Sequence, residues 1–141
     1  MITSAQEFVE LRTSVHQEDY LRAATDSAAP EVWVDVIQGF PEMKVWVAHN
    51  KTVPLDVLRL LASDSDPRVR FAVAMKNKLP NDLMVQLGRD TDASVRQRVA
   101  CNKNAGVEIL EELAQDQSEL VSASARARLP NPPKGGLIPP T

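Results

Sequence analysis

Apolar positions recur along the chain with a spacing of 26 residues, and short polar segments separate them. Within each repeat they follow the i, i+1, i+4, i+5 spacing that forms one face of a helix. The three sets are Val57, Leu58, Leu61 and Ala62; Leu83, Met84, Leu87 and Gly88; and Ile109, Leu110, Leu113 and Ala114. We expect the corresponding helices to begin at Pro54, Pro80 and Gly106, with proline at N1, where its missing N–H costs nothing.

A second short helix is predicted in each repeat. Asp66, Asp92 and Ser118 are side chains that favour the N-cap, and Pro67 follows the first of them at N1. The predicted inward positions are small or β-branched: Val69, Ala72, Val73, Val95, Val99, Val121 and Ala125. Helices this short are marginal alone, so they must be stabilised by stacking on neighbouring repeats. The pattern therefore predicts an all-α solenoid of short helix pairs.

The repeats set the expected domain boundaries. Three good copies follow one weaker copy that begins at Pro30 and is two residues shorter, so repeats should cover 30–128. Residues 1–29 are expected to form an N-terminal cap, in which Ser4 and Glu7 match a capping box. The segment 130–141 holds five prolines and two glycines, which predicts an extended tail. We therefore predict one helical-repeat domain over 1–129.

An aspartate recurs in register at Asp64, Asp90 and Asp116, accompanied by Arg70 and Arg96. The arginines could bind phosphate. Alternatively, each carboxylate could cap backbone N–H groups or pair with an arginine of a neighbouring repeat. Repetition in register favours this structural role.

The consensus P-x-[DE]-x-L-x-x-L-A-x-D-x-D-x-x-V-R-x-x-V-A resembles the HEAT-like superfamily, and within it the leucine-rich repeat variant type. Two copies carry the match: Leu58, Leu61, Ala62, Asp64, Asp66, Val69, Arg70, Val73 and Ala74, then Met84, Leu87, Asp90, Asp92, Val95, Arg96, Val99 and Ala100. The resemblance implies a right-handed α-α superhelix, here of four to five helix pairs. It also implies protein-binding scaffolding, with a few nucleic-acid-binding and enzymatic branches.

Composition and motifs narrow the function classes. Cys101 is the single cysteine, which excludes a disulfide framework and the cysteine cluster that binds iron–sulfur in one leucine-rich repeat variant protein. We find no nucleophile elbow, phosphate loop or metal-binding motif, so we expect no enzyme, no metal and no cofactor. A glycosylase or lyase of the HEAT-like type is a remote alternative. No apolar run is long enough for a membrane span, and no signal peptide is recognisable, so we expect a cytoplasmic protein.

Charge is distributed unevenly along a chain of net charge −3. Residues 1–66 hold five Lys/Arg and eleven Asp/Glu, a net of −6, whereas 68–103 hold eight and three, a net of +5. Stacked repeats would align part of this excess with other exposed side chains into a candidate binding surface: Arg70, Phe71, Lys76, Lys78, Arg96, Gln97, Arg98 and Lys103. We expect a protein partner, with nucleic acid as the alternative and a merely solvated face as the third interpretation. The chain itself is expected to be a monomer or a weak dimer.

Two further features carry expectations. Trp33 and Trp46 lie in the weak first copy, and we expect both to be buried, because tryptophan is highly buried on average. An exposed tryptophan would instead be an interface anchor.

Asparagines follow the second helices at Asn50, Asn77, Asn102 and Asn104. We expect them to end helices in the left-handed conformation.

Overall fold

The computed structural model of the chain describes residues 1–130, and in that range the protein is all-α, as predicted. The helices are α1 (Ala5–Thr13), α2 (Gln17–Thr25), α3 (Pro30–Gly39), α4 (Lys44–His49), α5 (Leu55–Ala62), α6 (Pro67–Ala74), α7 (Asn81–Gly88), α8 (Ala93–Ala100), α9 (Val107–Leu113) and α10 (Glu119–Arg128). A short 3-10 helix, Pro41–Met43, precedes α4. The predicted tail lies, from residue 131 onward, outside the described residues. The right-handed superhelix stays a prediction.

The chain divides into two compact units, Met1–Val73 and Ala74–Thr141. In the N-terminal unit, α1 packs against α2 and α3, α3 also packs against α5, and α2 packs against α4. In the C-terminal unit, α7 packs against α8 and α9, and α10 packs against α8 and α9. Within each unit, first helices thus stack on first helices and second helices on second helices. This is the packing that a repeat of helix pairs requires.

The predicted apolar faces form the cores of the units. The eleven side chains of the three first-helix sets are buried, Gly88 is buried as well, and so are the seven predicted inward positions of the second helices. Aromatic residues contribute mainly at the N-terminal end, where the rings of Phe8 and Trp33 meet edge to face with centroids 5.3 Å apart. Both rings are fully buried.

The first helices begin one residue later than predicted. Pro54 and Pro80 occupy the N-cap rather than N1, with φ of −72° and −66° and ψ near 155°. The proline ring fixes φ in this range, and the extended ψ leaves the proline carbonyl free to accept the first helical hydrogen bonds. Leu58 N donates to Pro54 O at 3.1 Å, for example. Pro30 and Pro67, in contrast, are the first residues of α3 and α6.

The predicted N-caps of the second helices are confirmed in position. The Asp66 and Asp92 carboxylates accept the N–H of the residue two positions on, Arg68 at 2.9 Å and Ser94 at 2.8 Å. Ser118 caps α10 without a side-chain hydrogen bond. At the N-terminus, Ser4 caps α1 by accepting Glu7 N, but the Glu7 carboxylate accepts from Thr3 N rather than from Ser4 N. Only half of the predicted capping box is therefore formed.

The recurrent aspartates bind backbone N–H groups and cationic side chains. This is the structural role that the sequence favoured, rather than phosphate binding by the accompanying arginines. Asp64, Asp90 and Asp116 each accept, through Oδ1, the N–H of the residue two positions on, at 2.8 to 2.9 Å. In Asp64 and Asp116, the second carboxylate oxygen binds a cation 20 residues earlier. Lys44 donates to Asp64 at 2.7 Å, and Arg96 donates to Asp116 at 2.8 Å.

A second ladder of side chains binds helix-terminal carbonyls, and we call it the carbonyl ladder. Its observed members are Asn50, Asn102 and Arg128, which share the 26-residue register. Asn50 Nδ2 donates to Ala23 O and Asp26 O at the end of α2, at 2.8 and 3.0 Å. Because the last carbonyls of a helix have no partner within it, these bonds satisfy acceptors that burial would leave unpaired.

The same geometry recurs in the C-terminal unit. Asn102 Nδ2 donates to Ala74 O at 3.0 Å and to Lys76 O at 2.8 Å, and its Oδ1 accepts Asn104 N at 2.9 Å. One step later, Arg128 donates to Ala100 O and Asn102 O. The expected left-handed conformation is wrong for Asn50, whose φ of −62° and ψ of 132° are extended. Its amide is used for hydrogen bonding rather than for tolerance of positive φ.

Gly88 offers a stabilising substitution. It ends α7 at the position that Ala62 and Ala114 hold in the other repeats, and its φ is not left-handed. An added Cβ would lie 3.7 to 3.9 Å from three apolar side chains, which is ordinary contact. Gly88→Ala should therefore raise the free energy of unfolding by about 0.5–1 kcal/mol, because alanine loses less backbone entropy on folding. Thermal denaturation checks this, and a lower midpoint would contradict it.

Candidate functional site

The predicted binding surface is divided between the two units. Arg70 and Phe71 belong to the N-terminal unit, and both side chains are half-buried. The Arg70 guanidinium donates to Asp64 O at 2.7 Å, at the turn before its own helix. The other six predicted residues belong to the C-terminal unit.

Arg96 is engaged inside the C-terminal unit. Its side chain is 11% exposed and donates through Nε and a terminal nitrogen to Asp116, while its remaining terminal nitrogen donates to Asp90 O at 2.8 Å. The hydrogen bond from Arg96 holds the pKa of the Asp116 carboxyl below its ordinary value. With its guanidinium occupied in this way, Arg96 supports the fold rather than offering a cation to a ligand.

The remaining predicted residues differ in how far their side chains are exposed to solvent. Lys78 and Lys103 are exposed, whereas Lys76, Gln97 and Arg98 are half-buried. Gln97 Nε2 donates to Ser124 Oγ at 3.3 Å. Among the eight cations of 68–103, Arg68, Arg89 and Arg96 form ion pairs with Asp66, Glu112 and Asp116. These pairs reduce the positive charge that the segment presents to a partner.

A different surface, in the N-terminal unit, has the geometry of a binding site. An open cleft of about 340 Å³ lies among α1, α2 and α4, and we call it the Trp46 cleft. It is lined by Arg12, Tyr20, Leu21, Ala23, Ala24, Trp46 and His49. Two of these lining residues are small alanines of α2, and two are the ring-bearing residues of α4.

Aromatic rings and one guanidinium form a cluster in the Trp46 cleft. The Arg12 Cζ lies 3.5 Å from the centroid of the Trp46 ring and 5.8 Å from that of Tyr20. The rings of Trp46 and His49 are tilted, with centroids 5.5 Å apart. Trp46 and Tyr20 are each 38% exposed, and Leu21 is more exposed still. The cleft therefore presents a largely apolar surface beside a cation.

The cleft contrasts with its surroundings in charge. Its lining includes no acidic residue, and its ionisable groups are Arg12, His49 and the phenol of Tyr20. Yet residues 1–66, which contain the whole cleft, have the net charge of −6 given above. The only fixed charge within the cleft is thus opposite in sign to that of the segment around it.

The expected burial is confirmed for Trp33 and wrong for Trp46. Trp33 is fully enclosed and contacts Phe8, whereas Trp46 is partly open to solvent. Trp46 lies 26 residues before Ala72 and 52 before Arg98. The register does not decide the exposure of this position, because Ala72 is buried whereas Arg98 is half-buried. Nothing in the sequence indicated that Arg12, 34 residues away, would stack on it.

Other site classes have little structural support in the described part of the chain. Within residues 1–130, no three His, Cys, Asp or Glu side chains are grouped so that they could bind a metal ion. Over the same residues, the helices are too short and too polar for any of them to cross a membrane. Cys101 is a free, exposed thiol.

Comparison with known proteins identifies no relative. No family model matches the chain, and no curated protein or solved structure matches it significantly. The resemblance to HEAT-like repeats of the leucine-rich repeat variant type therefore stays a prediction from the repeat pattern alone.

Proposed function

We propose that this protein is a non-catalytic binding module whose ligand is another protein, held in the Trp46 cleft. One observation carries the proposal: Trp46, Tyr20 and Arg12 form a preformed, partly exposed cluster that borders an open apolar cleft. Tryptophan, tyrosine and arginine are the residues most enriched among those that dominate protein–protein binding energies.

The helical framework supports this role. Arg12 lies on α1, Tyr20 and Leu21 on α2, and Trp46 on α4, so helices rather than loops position the cluster. A rigid surface loses little conformational entropy on binding, which favours affinity. The volume of about 340 Å³ suits one or two apolar side chains of a partner rather than a large cofactor.

The proposed contact surface is the Trp46 cleft and differs from the surface that the sequence indicated. The surface of Arg70, Phe71, Gln97 and Arg98 stays a candidate for additional contacts, but its side chains are half-buried, whereas the cleft has three exposed large side chains, Tyr20, Leu21 and Trp46. Nucleic-acid binding through 68–103 has no specific observation in its favour, since Arg96 is enclosed with Asp116. The superhelical form, the relation to HEAT-like scaffolds and the cytoplasmic location stay predictions within the same proposal.

Trp46→Ala should weaken peptide binding at least tenfold without unfolding the protein. The test begins with a random peptide display library selected against the full chain, followed by affinity measurement of synthetic peptides. We expect the selected peptides to lose at least tenfold in affinity for Trp46→Ala, because the indole supplies the main apolar surface of the cleft. Circular dichroism of the variant should remain helical.

Leu60→Ala is the matched control. Leu60 lies on α5 in the same unit, is 58% exposed and does not line the Trp46 cleft. Its truncation should leave the affinity of the selected peptides unchanged. If no peptide is enriched, or if the enriched peptides bind wild type and Trp46→Ala equally, the proposed function is wrong.

A further inference from the structure

We propose that the Trp46 cleft recognises a peptide segment in which an aspartate or glutamate neighbours an apolar residue, and that Arg12 binds the carboxylate. This inference rests on the proposed function and specifies the chemistry of the partner. The apolar side chain would occupy the cleft between Ala23, Ala24 and Trp46, and the carboxylate would meet the guanidinium at its edge.

The first observation is that Arg12 lacks a polar partner. Among the described residues, its guanidinium forms no hydrogen bond and no ion pair, although it is half-buried. Several other arginines do have carboxylate partners. Arg22 binds Asp26 at 2.9 Å, Arg89 binds Glu112 at 2.8 Å and Arg96 binds Asp116 at 2.8 Å. Arg12 therefore retains all five N–H donors for groups outside the described chain.

The second observation is the geometry of the stack. Cζ lies over the ring of Trp46, 3.5 Å from its centroid, and at this distance a flat guanidinium is the orientation that keeps its nitrogens from pressing into the indole. The N–H bonds lie in the guanidinium plane, so they project sideways from the stack instead of into the ring. Stacking also restricts the rotation of a long side chain before any ligand arrives. Such a preorganised fork matches the two oxygens of a carboxylate.

The third observation is charge complementarity. No acidic side chain lines the cleft, so an incoming carboxylate meets no direct repulsion there. The acidic balance of residues 1–66 argues against a nucleic-acid ligand, because a polyphosphate backbone would be repelled over its whole length. A single carboxylate beside an apolar side chain is instead compatible with one cation in an apolar cleft.

The experiment uses the peptides that bind the full chain in a Trp46-dependent manner. Each is synthesised with its acidic residue intact and with glutamate changed to glutamine, or aspartate to asparagine. All versions are measured against wild type, Arg12→Met and Arg22→Met by calorimetry at low and physiological salt. Methionine keeps an unbranched apolar chain over Trp46 but removes the donors. Arg22→Met is a matched control, since Arg22 is an exposed arginine of the same unit that does not line the cleft.

We expect the neutral peptide to bind wild type about tenfold more weakly than the acidic one. Against Arg12→Met the two peptides should bind equally, whereas Arg22→Met should retain the tenfold preference. Higher salt should weaken the acidic peptide selectively. If Arg12→Met perturbs the helical spectrum, Arg12→Lys replaces it, and the preference should fall because the planar fork is lost.

Other outcomes separate the two proposals. Trp46-dependent peptides without an acidic residue, or with a preference that survives Arg12→Met, would overturn this inference and leave the proposed function intact. Tighter binding of a single-stranded oligonucleotide than of any peptide, with the same dependence on Arg12 and Trp46, would overturn both. Absence of any Trp46-dependent ligand would already have removed the proposed function.

Discussion

Asn102→Ala should lower the free energy of unfolding by about 3 kcal/mol, because it leaves three backbone groups without partners. The side chain is fully buried, and its amide donates to Ala74 O and Lys76 O while its oxygen accepts Asn104 N. A buried group that loses its hydrogen bond costs about 1–3 kcal/mol; the bond to Ala74 O is buried, and the other two are partly buried and cost less. Water entering the space left by the amide would offset part of this loss.

Urea and thermal denaturation measure the change. For a chain of this length we expect the midpoint temperature to fall by about 10 °C. Asn77→Ala is the control, because Asn77 lies in the preceding turn, is exposed and forms no side-chain hydrogen bond within the described residues. A loss for Asn102→Ala no greater than that for Asn77→Ala would show that the carbonyl ladder contributes little to stability.

Asn102→Asp tests whether the donors themselves matter. Aspartate has almost the same size and retains an oxygen to accept Asn104 N, so it leaves no cavity. It replaces the Nδ2 donor with a second oxygen that faces two carbonyl oxygens. At neutral pH we expect this variant to be at least as unstable as Asn102→Ala, because like partial charges are then brought together in a buried place. Equal stability with wild type would argue against the assigned hydrogen bonds.

The helices were largely predictable from the sequence because the same pattern of apolar and capping residues recurs in each repeat. The apolar faces of α5, α7 and α9 and the N-caps at Asp66 and Asp92 all follow from local helix rules. The register of Asp64, Asp90 and Asp116 likewise pointed to a structural role. Errors of one residue arose at Pro54 and Pro80, where a proline suits either N1 or the N-cap.

The carbonyl ladder escaped prediction because its members differ in chemistry. Asn50, Asn102 and Arg128 share the register, and Lys76 stands between them in the sequence. They have in common only an N–H donor on a side chain of sufficient reach, which residue identity does not reveal. The contacts also span 24 to 28 residues, so no local rule indicates them.

The Trp46 cleft was missed for a related reason. Average burial favoured an enclosed Trp46, and the copy that contains it is the least regular of the series. The cleft is lined by residues of α4, which has only six residues, and by residues of α2. Its cation comes from α1, outside the recognisable repeats. The cleft therefore forms only where the N-terminal cap packs against the irregular first repeat. That tertiary contact cannot be inferred from the local pattern of a single sequence.

Arg96→Met should lower the free energy of unfolding by about 4 kcal/mol, because it leaves Asp116 charged and enclosed without its partner. The two side chains are 11% and 10% exposed, and Arg96 donates to both carboxylate oxygens at 2.8 and 3.1 Å. The substitution also removes the donor to Asp90 O. The double variant with Asp116→Asn should recover part of the loss, since an amide needs no counter-charge.

The pair of Arg89 and Glu112 provides the matched control. It has the same two-pronged geometry, with distances of 2.9 and 2.8 Å, but its side chains are 63% and 51% exposed. Water and salt screen such a pair, so Arg89→Met should leave the denaturation midpoint within experimental error. Equal effects of the Arg89 and Arg96 variants would contradict the view that burial makes the inner pair structural.

The pH dependence of the free energy of unfolding should reveal the contribution of Asp116, the partner of Arg96. The Arg96 hydrogen bond lowers the pKa of Asp116 in the folded protein, whereas in the unfolded chain the pKa is about 4. The stabilisation is therefore complete above the unfolded value and disappears as pH falls through the lower folded value. Urea denaturation between pH 7 and pH 2 should show a steeper acid loss for wild type than for Asp116→Asn. Other carboxylates with lowered pKa, such as Asp26 and Glu112, contribute equally to both proteins and cancel in this difference. Parallel curves for the two proteins would show that the pair does not stabilise the fold through its charge.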